Sequence, residues 1–119
     1  MVKARVLIVA ADRGLVWALE RELRDFELSI TDGPAAALEA LSPDLNVVIA
    51  EDEPVQGAAA MTLLWRVSVR CPAARRILIS SRVHSREAEA YMSRALIHGF
   101  VRKPVRPGAV RILLETVLL

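Results

Sequence analysis

The 119-residue chain has the length of one domain, and its 54% apolar content excludes a disordered tail. Sixteen basic against fourteen acidic residues give a formal net charge of +2, but only Lys3 and Lys103 are lysines and the arginines are scattered without interleaved aromatics, so no nucleic-acid stripe is predicted. Charges interrupt every hydrophobic run, which excludes a membrane span, and the lone Cys71 cannot form an internal disulfide and fits a reducing, cytoplasmic compartment.

Strand-like and helix-like segments alternate along the chain. Met1 to Arg5 runs straight into Arg5-Val6-Leu7-Ile8-Val9-Ala10, leaving no room for a signal peptide. This continuous β-branched run predicts a strand covered on both faces. Asp12 is placed to cap a helix starting near Leu15, whose apolar stripe is Leu15, Leu19, Leu23 and Phe26. Glu27–Ile30 predicts a second strand, Asp32-Gly33-Pro34 a turn into a helix over Ala35–Leu41, and Val47–Ala50 a third buried strand. After an acidic loop, Glu51-Asp52-Glu53-Pro54, a helix is predicted over Ala58–Val69. Ile77–Ser80 predicts a fourth strand, Ser85–Ala95 a helix, Gly99–Val101 a fifth strand, and the chain ends in a helix from near Pro107.

Such alternation predicts an α/β domain with a parallel sheet, helices on both faces, and any ligand site at the carboxyl ends of the strands. No Gly-x-Gly-x-x-Gly follows the first strand and no Walker lysine motif is present, so a nucleotide site has no support.

In four segments the sequence resembles the CheY-like receiver domains of bacterial two-component response regulators. Arg5–Val9 followed by Asp12-Arg13 looks like the first strand and its loop. Pro43-Asp44 through Ile49, with Pro54 and Gly57, looks like the third strand and the loop beyond it. Ile77-Leu78-Ile79-Ser80 looks like the fourth strand ending in a hydroxyl, and Phe100-Val101-Arg102-Lys103-Pro104 like the fifth strand with its switch aromatic and essential lysine. The resemblance covers the whole chain, residues 1–119, as one receiver-like domain with no output domain in it. It implies a flavodoxin-like (βα)5 doubly wound sheet in the order 2-1-3-4-5.

The family's chemistry is transfer of a phosphoryl group to an aspartate beside a carboxylate-bound Mg²⁺, with a lysine and a hydroxyl holding the transferred group. Here the resemblance places Ala10 and Ala11 where the metal-binding acids stand. Counting four back from Pro54 puts Ala50 at the phosphoacceptor position. A loop shorter by one residue puts Glu51 there, and anchoring on Leu63-Leu64 puts Asp52 there, a register that draws Glu51 into the strand. Ser80, Phe100 and Lys103 keep the switch positions, and Lys103 is expected to pair with Glu51 or Asp52.

The expectation is a degenerate, non-enzymatic receiver without metal or other cofactor, acting through protein partners or self-association independently of phosphorylation. One alternative is a phosphoacceptor using Asp52, with Asp12 in an altered Mg²⁺ site; another is a small flavodoxin-like ligand-binding domain. The expected contact face is the fourth helix, fifth strand and fifth helix, with Tyr91, Arg94, Arg102, Arg106 and Arg111 around Val101 and Ile112. Trp17 on the first helix is the competing anchor, and both Trp17 and Trp65 should face outward. His84 and His98 read as solvated.

Overall fold

The computed structural model describes residues 3–52 and 59–119. Ten elements alternate: β1 (Arg5–Val9), α1 (Arg13–Glu22), β2 (Glu27–Thr31), α2 (Pro34–Glu39), β3 (Val47–Glu51), α3 (Ala59–Arg70), β4 (Arg75–Ser80), α4 (Ser85–Ser93), β5 (Gly99–Arg102) and α5 (Ala109–Val117). The strands form one sheet in the order β2-β1-β3-β4-β5, all pairs parallel. This is the flavodoxin-like arrangement expected from the resemblance.

The two-residue period of the strands divides the core. Val6 and Ile8 of β1 and Val47 and Ile49 of β3 pack with Leu19 and Leu23 from α1 and Val110 and Leu114 from α5. Leu7, Val9, Val48 and Ala50 face the other way, against Ala37 of α2 and Leu63, Leu64 and Val67 of α3. Tyr91 of α4 is half-buried against that second cluster. Central strands covered on both faces explain why their sequence reads as an unbroken apolar run.

Local chemistry sets the helix ends. Asp12 accepts from the Leu15 amide at 3.1 Å and so caps α1. Pro34 opens α2, where its missing N–H costs nothing. Ala95 leaves α4 in the left-handed region with φ 58°, a conformation that penalises a Cβ. Gly99 opens β5 against α5, where an added Cβ would meet the Leu113 side chain at 2.6 Å.

Arg76 is the one buried arginine among the described residues, at 4% exposure. No carboxylate among the described residues meets it. Its guanidinium donates to the carbonyls of Ala74 (2.9 Å), Ala95 (2.7 Å), Leu96 (3.0 Å) and Pro72 (3.4 Å). Burial, and after it the neighbouring Arg75 charge, draws its pKa below the ordinary arginine value. His98, expected to be solvated, is half-buried: its Nδ1 accepts from the Arg76 amide at 2.9 Å, while the His98 amide donates to the Arg76 carbonyl at 2.7 Å. Completing the edge of β4 therefore takes up the imidazole. His84 stays exposed at the start of α4.

Candidate functional site: two ion pairs at the carboxyl ends of the strands

The ends of β1, β3, β4 and β5 converge at the sheet edge where an open α/β fold places its site. Glu51 is the last residue of β3, in register with Ile79 of β4, and Asp52 follows it with its amide donating to the Ile79 carbonyl at 2.7 Å. The sequence reading that kept Glu51 out of the strand is thereby corrected: the ladder continues one residue beyond Ala50. The cause is hydrogen bonding, since the Asp52 amide finds a strand carbonyl and the Glu51 carboxylate finds donors of its own. Ala50 is buried in the core cluster with Leu63 and Leu64 and offers no chemistry. Glu53, Pro54 and Gly57, on which the register counting rested, lie outside the described residues.

Glu51 shares the strand face of Val47 and Ile49, and its side chain is 1% exposed. Its Oε1 accepts from the amides of Ala11 (3.1 Å) and Asp12 (3.2 Å), and its Oε2 is ion-paired to Lys103 Nζ. Of the two acids expected to pair with Lys103, Glu51 is the one within reach. The lysine is held from behind as its own amide donates to the Ser80 carbonyl at 3.2 Å.

Asp52 is also buried, at 4% exposure, and belongs to a second set. Ser80 Oγ donates to its Oδ2 at 2.9 Å, and Arg82 grips both oxygens, Nη2 at 2.9 Å from Oδ1 and Nε at 3.2 Å from Oδ2. The Asp52 hydrogen bonds, then its charge, raise the Arg82 pKa above the ordinary arginine value. Ser80 Oγ accepts in turn from the amides of Arg82 (3.0 Å) and Val83 (3.2 Å), so one hydroxyl gathers two amides of the loop into α4. Composition gave no pointer to Arg82; its place two residues beyond the strand-end hydroxyl is the signal that could have found it.

The described residues at the strand ends offer a divalent cation few uncommitted oxygens. Ala10 and Ala11 supply methyls where a hard ion needs oxygen, and Asp12 is turned onto the start of α1. Both buried carboxylates already carry a cationic side chain. The space bounded by Val9, Ala10, Ala11, Asp32, Pro34 and Glu51 amounts to about 10 Å³, at the lower limit for a single water. No group of three metal-ligating side chains occurs among the described residues.

Phe100 is half-buried against the α3-side cluster that includes Tyr91 and Ile97. Three expected contact residues also lie elsewhere than on an exposed face. Val101 is buried and Tyr91 half-buried. Arg111 turns toward α1, pairing with Asp25 at 2.6 Å, donating to the Glu22 carbonyl at 2.9 Å and lying 5.6 Å from the Phe26 ring centroid. Asp25, held by Arg111, is acidified to about 2. Arg94, Arg102 and Arg106 are exposed, as are Trp17 at 62% and Trp65 at 55%.

No family model matches the chain, and no curated protein matches it. Solved structures do, at low identity. The non-phosphorylated HemR receiver domain from Leptospira biflexa superposes with a TM-score of 0.84 at 18% identity, over 98% of this chain and 94% of that one. A CheY-like response regulator receiver domain protein from Methanospirillum hungatei gives 0.75 at 21% identity, over 97% and 90%. An adenylate cyclase chain from Rhodopirellula baltica gives 0.84 at 18% identity, over 98% and 88%. The fold is that of the response-regulator receiver domains.

Proposed function

We propose that this chain is a degenerate receiver: a non-catalytic interaction module of intracellular signalling that works without aspartyl phosphorylation. The observation that carries the reading is the double pairing of Glu51 with Lys103 and of Asp52 with Arg82. An acyl phosphate forms when a free carboxylate attacks phosphorus beside a metal that neutralises the phosphoryl oxygens. Here each buried carboxylate is occupied by a side-chain cation and by further donors, and the alanines supply no metal ligands. Glu51 stands between amides and lysine, so Lys103 and Ser80 have fixed partners in place of a transient phosphoryl group.

The partner face follows from what is left exposed. A groove of about 410 Å³ between β5 and α5 is walled by Phe100, Pro104, Ile112 and Leu113 and flanked by Arg102 and Arg106. Arg86, Arg94, Arg102 and Arg106 form no ion pair among the described residues, and Ile112 is 67% exposed. Arginine around an apolar centre suits a partner bearing carboxylates, or a second copy offering its own acids.

Acetyl phosphate with Mg²⁺ tests the first part. Intact-mass spectrometry is expected to show unmodified protein; a phosphoryl adduct on Asp52 would establish the phosphoacceptor alternative. For the second part, Arg94→Glu with Arg102→Glu is expected to weaken self-association or partner capture. An effect from Trp17→Ala alone would move the contact to α1.

A further inference from the structure

A second concavity borders the Glu51–Lys103 pair on the α1 side. It follows α1 from Asp12 to Glu22, with the Lys103–Gly108 segment as its opposite wall, and encloses about 930 Å³. That is the size of a small-molecule site, and such sites are mostly apolar with a few placed charges. We propose that this groove binds a small amphipathic organic anion, with a flat apolar body between the walls and its acidic group on Arg21 and Arg106.

The walls are preformed. Glu22 at the end of α1 accepts from the amides of Gly108 and Arg111, capping α5 across the groove. The Arg111 pairing with Asp25 ties the same end a second time. Pro104 and Pro107 fix two backbone angles of the opposite wall. A ligand entering therefore meets surfaces that need little ordering, which favours affinity.

The lining is apolar where the body would lie. Leu15, Trp17 and Ala18 line it opposite Pro104, Val105 and Pro107, and Trp17 is 62% exposed.

Charge selects the sign of the ligand. The acids of the lining are committed: Asp12 to the Leu15 amide, Glu22 to the start of α5. Lys103 is committed to Glu51. Arg21 and Arg106 have no carboxylate partner among the described residues, and Arg21 rests 4.8 Å from the Trp17 ring centroid. Two uncompensated guanidiniums beside an apolar trough complement an anion with an aromatic or aliphatic body.

The test uses Trp65→Phe protein, which leaves Trp17 as the single tryptophan. Two probes are titrated: the anion anilinonaphthalene sulfonate and the uncharged N-phenylnaphthylamine. The expected result is saturable one-to-one quenching of Trp17, with the anion bound about tenfold more tightly than the neutral probe, a difference near 1.4 kcal/mol. Arg106→Gln and Arg21→Gln should remove that preference while leaving the neutral probe unchanged. Ala18→Trp, at an exposed position, should fill the trough and abolish binding of both probes, read for this variant by the probes' own fluorescence because it adds a second indole beside Trp17. Circular dichroism and the melting temperature of each variant establish that it is folded. Absence of saturable binding, equal affinity for both probes, or binding indifferent to Ala18→Trp would overturn the proposal. So would a dimer in sedimentation that Ala18→Trp dissolves, since the groove would then hold a second copy of this chain.

Discussion

Arg82 grips Asp52 through two nitrogens, one 2.9 Å from Oδ1 and the other 3.2 Å from Oδ2, while its own side chain remains 43% exposed. A buried carboxylate is thus neutralised by a cation that solvent can reach. The Glu51–Lys103 pair is drier, at 1% and 23% exposure of the side chains. The two pairs should answer differently to loss of the basic partner, because water can replace an exposed guanidinium far better than a sheltered ammonium.

Lys103→Ala is expected to destabilise the fold by about 3 kcal/mol, since it takes the lysine cation away from a Glu51 carboxylate whose side chain is 1% exposed. The double variant Lys103→Met with Glu51→Gln should recover much of that loss. A chemical-denaturation double-mutant cycle measures both.

Arg82→Ala should lower the denaturation midpoint by a smaller margin than Lys103→Ala. Arg82→Lys should recover little, because a point charge cannot reproduce the two-pronged contact. Ser80→Ala should loosen the segment into α4, read as faster amide exchange at Arg82 and Val83, whose donors lose their acceptor.

His98 makes stability pH-dependent. Its pKa is lowered from 6.5 by burial, then by the charges of Arg76 and Arg75. The unfolded chain therefore binds the proton more readily than the folded one. The contribution is fully present above the unfolded value of 6.5 and is lost as pH falls through the lower folded value. Protonating Nδ1 would also remove the acceptor of the Arg76 amide. Denaturation of wild type and His98→Gln near neutral and mildly acidic pH should show a steeper acid loss in wild type.

Ala95→Gly is expected to stabilise by about 1 kcal/mol, because φ is 58° there and the side chain is exposed. Thermal melting checks the sign; a lower melting temperature would contradict it.

The strands were legible because each central one is an apolar run between turn residues, and a run buried on both faces needs no partner information to be recognised. Asp12 was legible as a cap for the same reason, its target amide being three residues away. The strand-tip register was not. Counting from a loop proline assumes a loop length, and a slip of one residue turns every side chain to the opposite face. What fixes Glu51 is a lysine 52 positions later. Arg76 escaped notice and His98 was read as solvated because their partners are carbonyls and an amide brought together by tertiary folding, which no residue type announces. Arg111 was assigned to the wrong side of α5, since the reading of that helix did not contain Asp25.

Arg76 has a mechanical consequence. By joining the carbonyls of Pro72 and Ala74 to those of Ala95 and Leu96, it pins the far end of α4 to the root of β4. The near end of α4 is held through Ser80 and Asp52 and by Val83 packed on the core. The two ends of α4 are therefore held by different chemistry: a sheltered guanidinium gathering carbonyls at one, and a hydroxyl and carboxylate set that solvent can reach through Arg82 at the other.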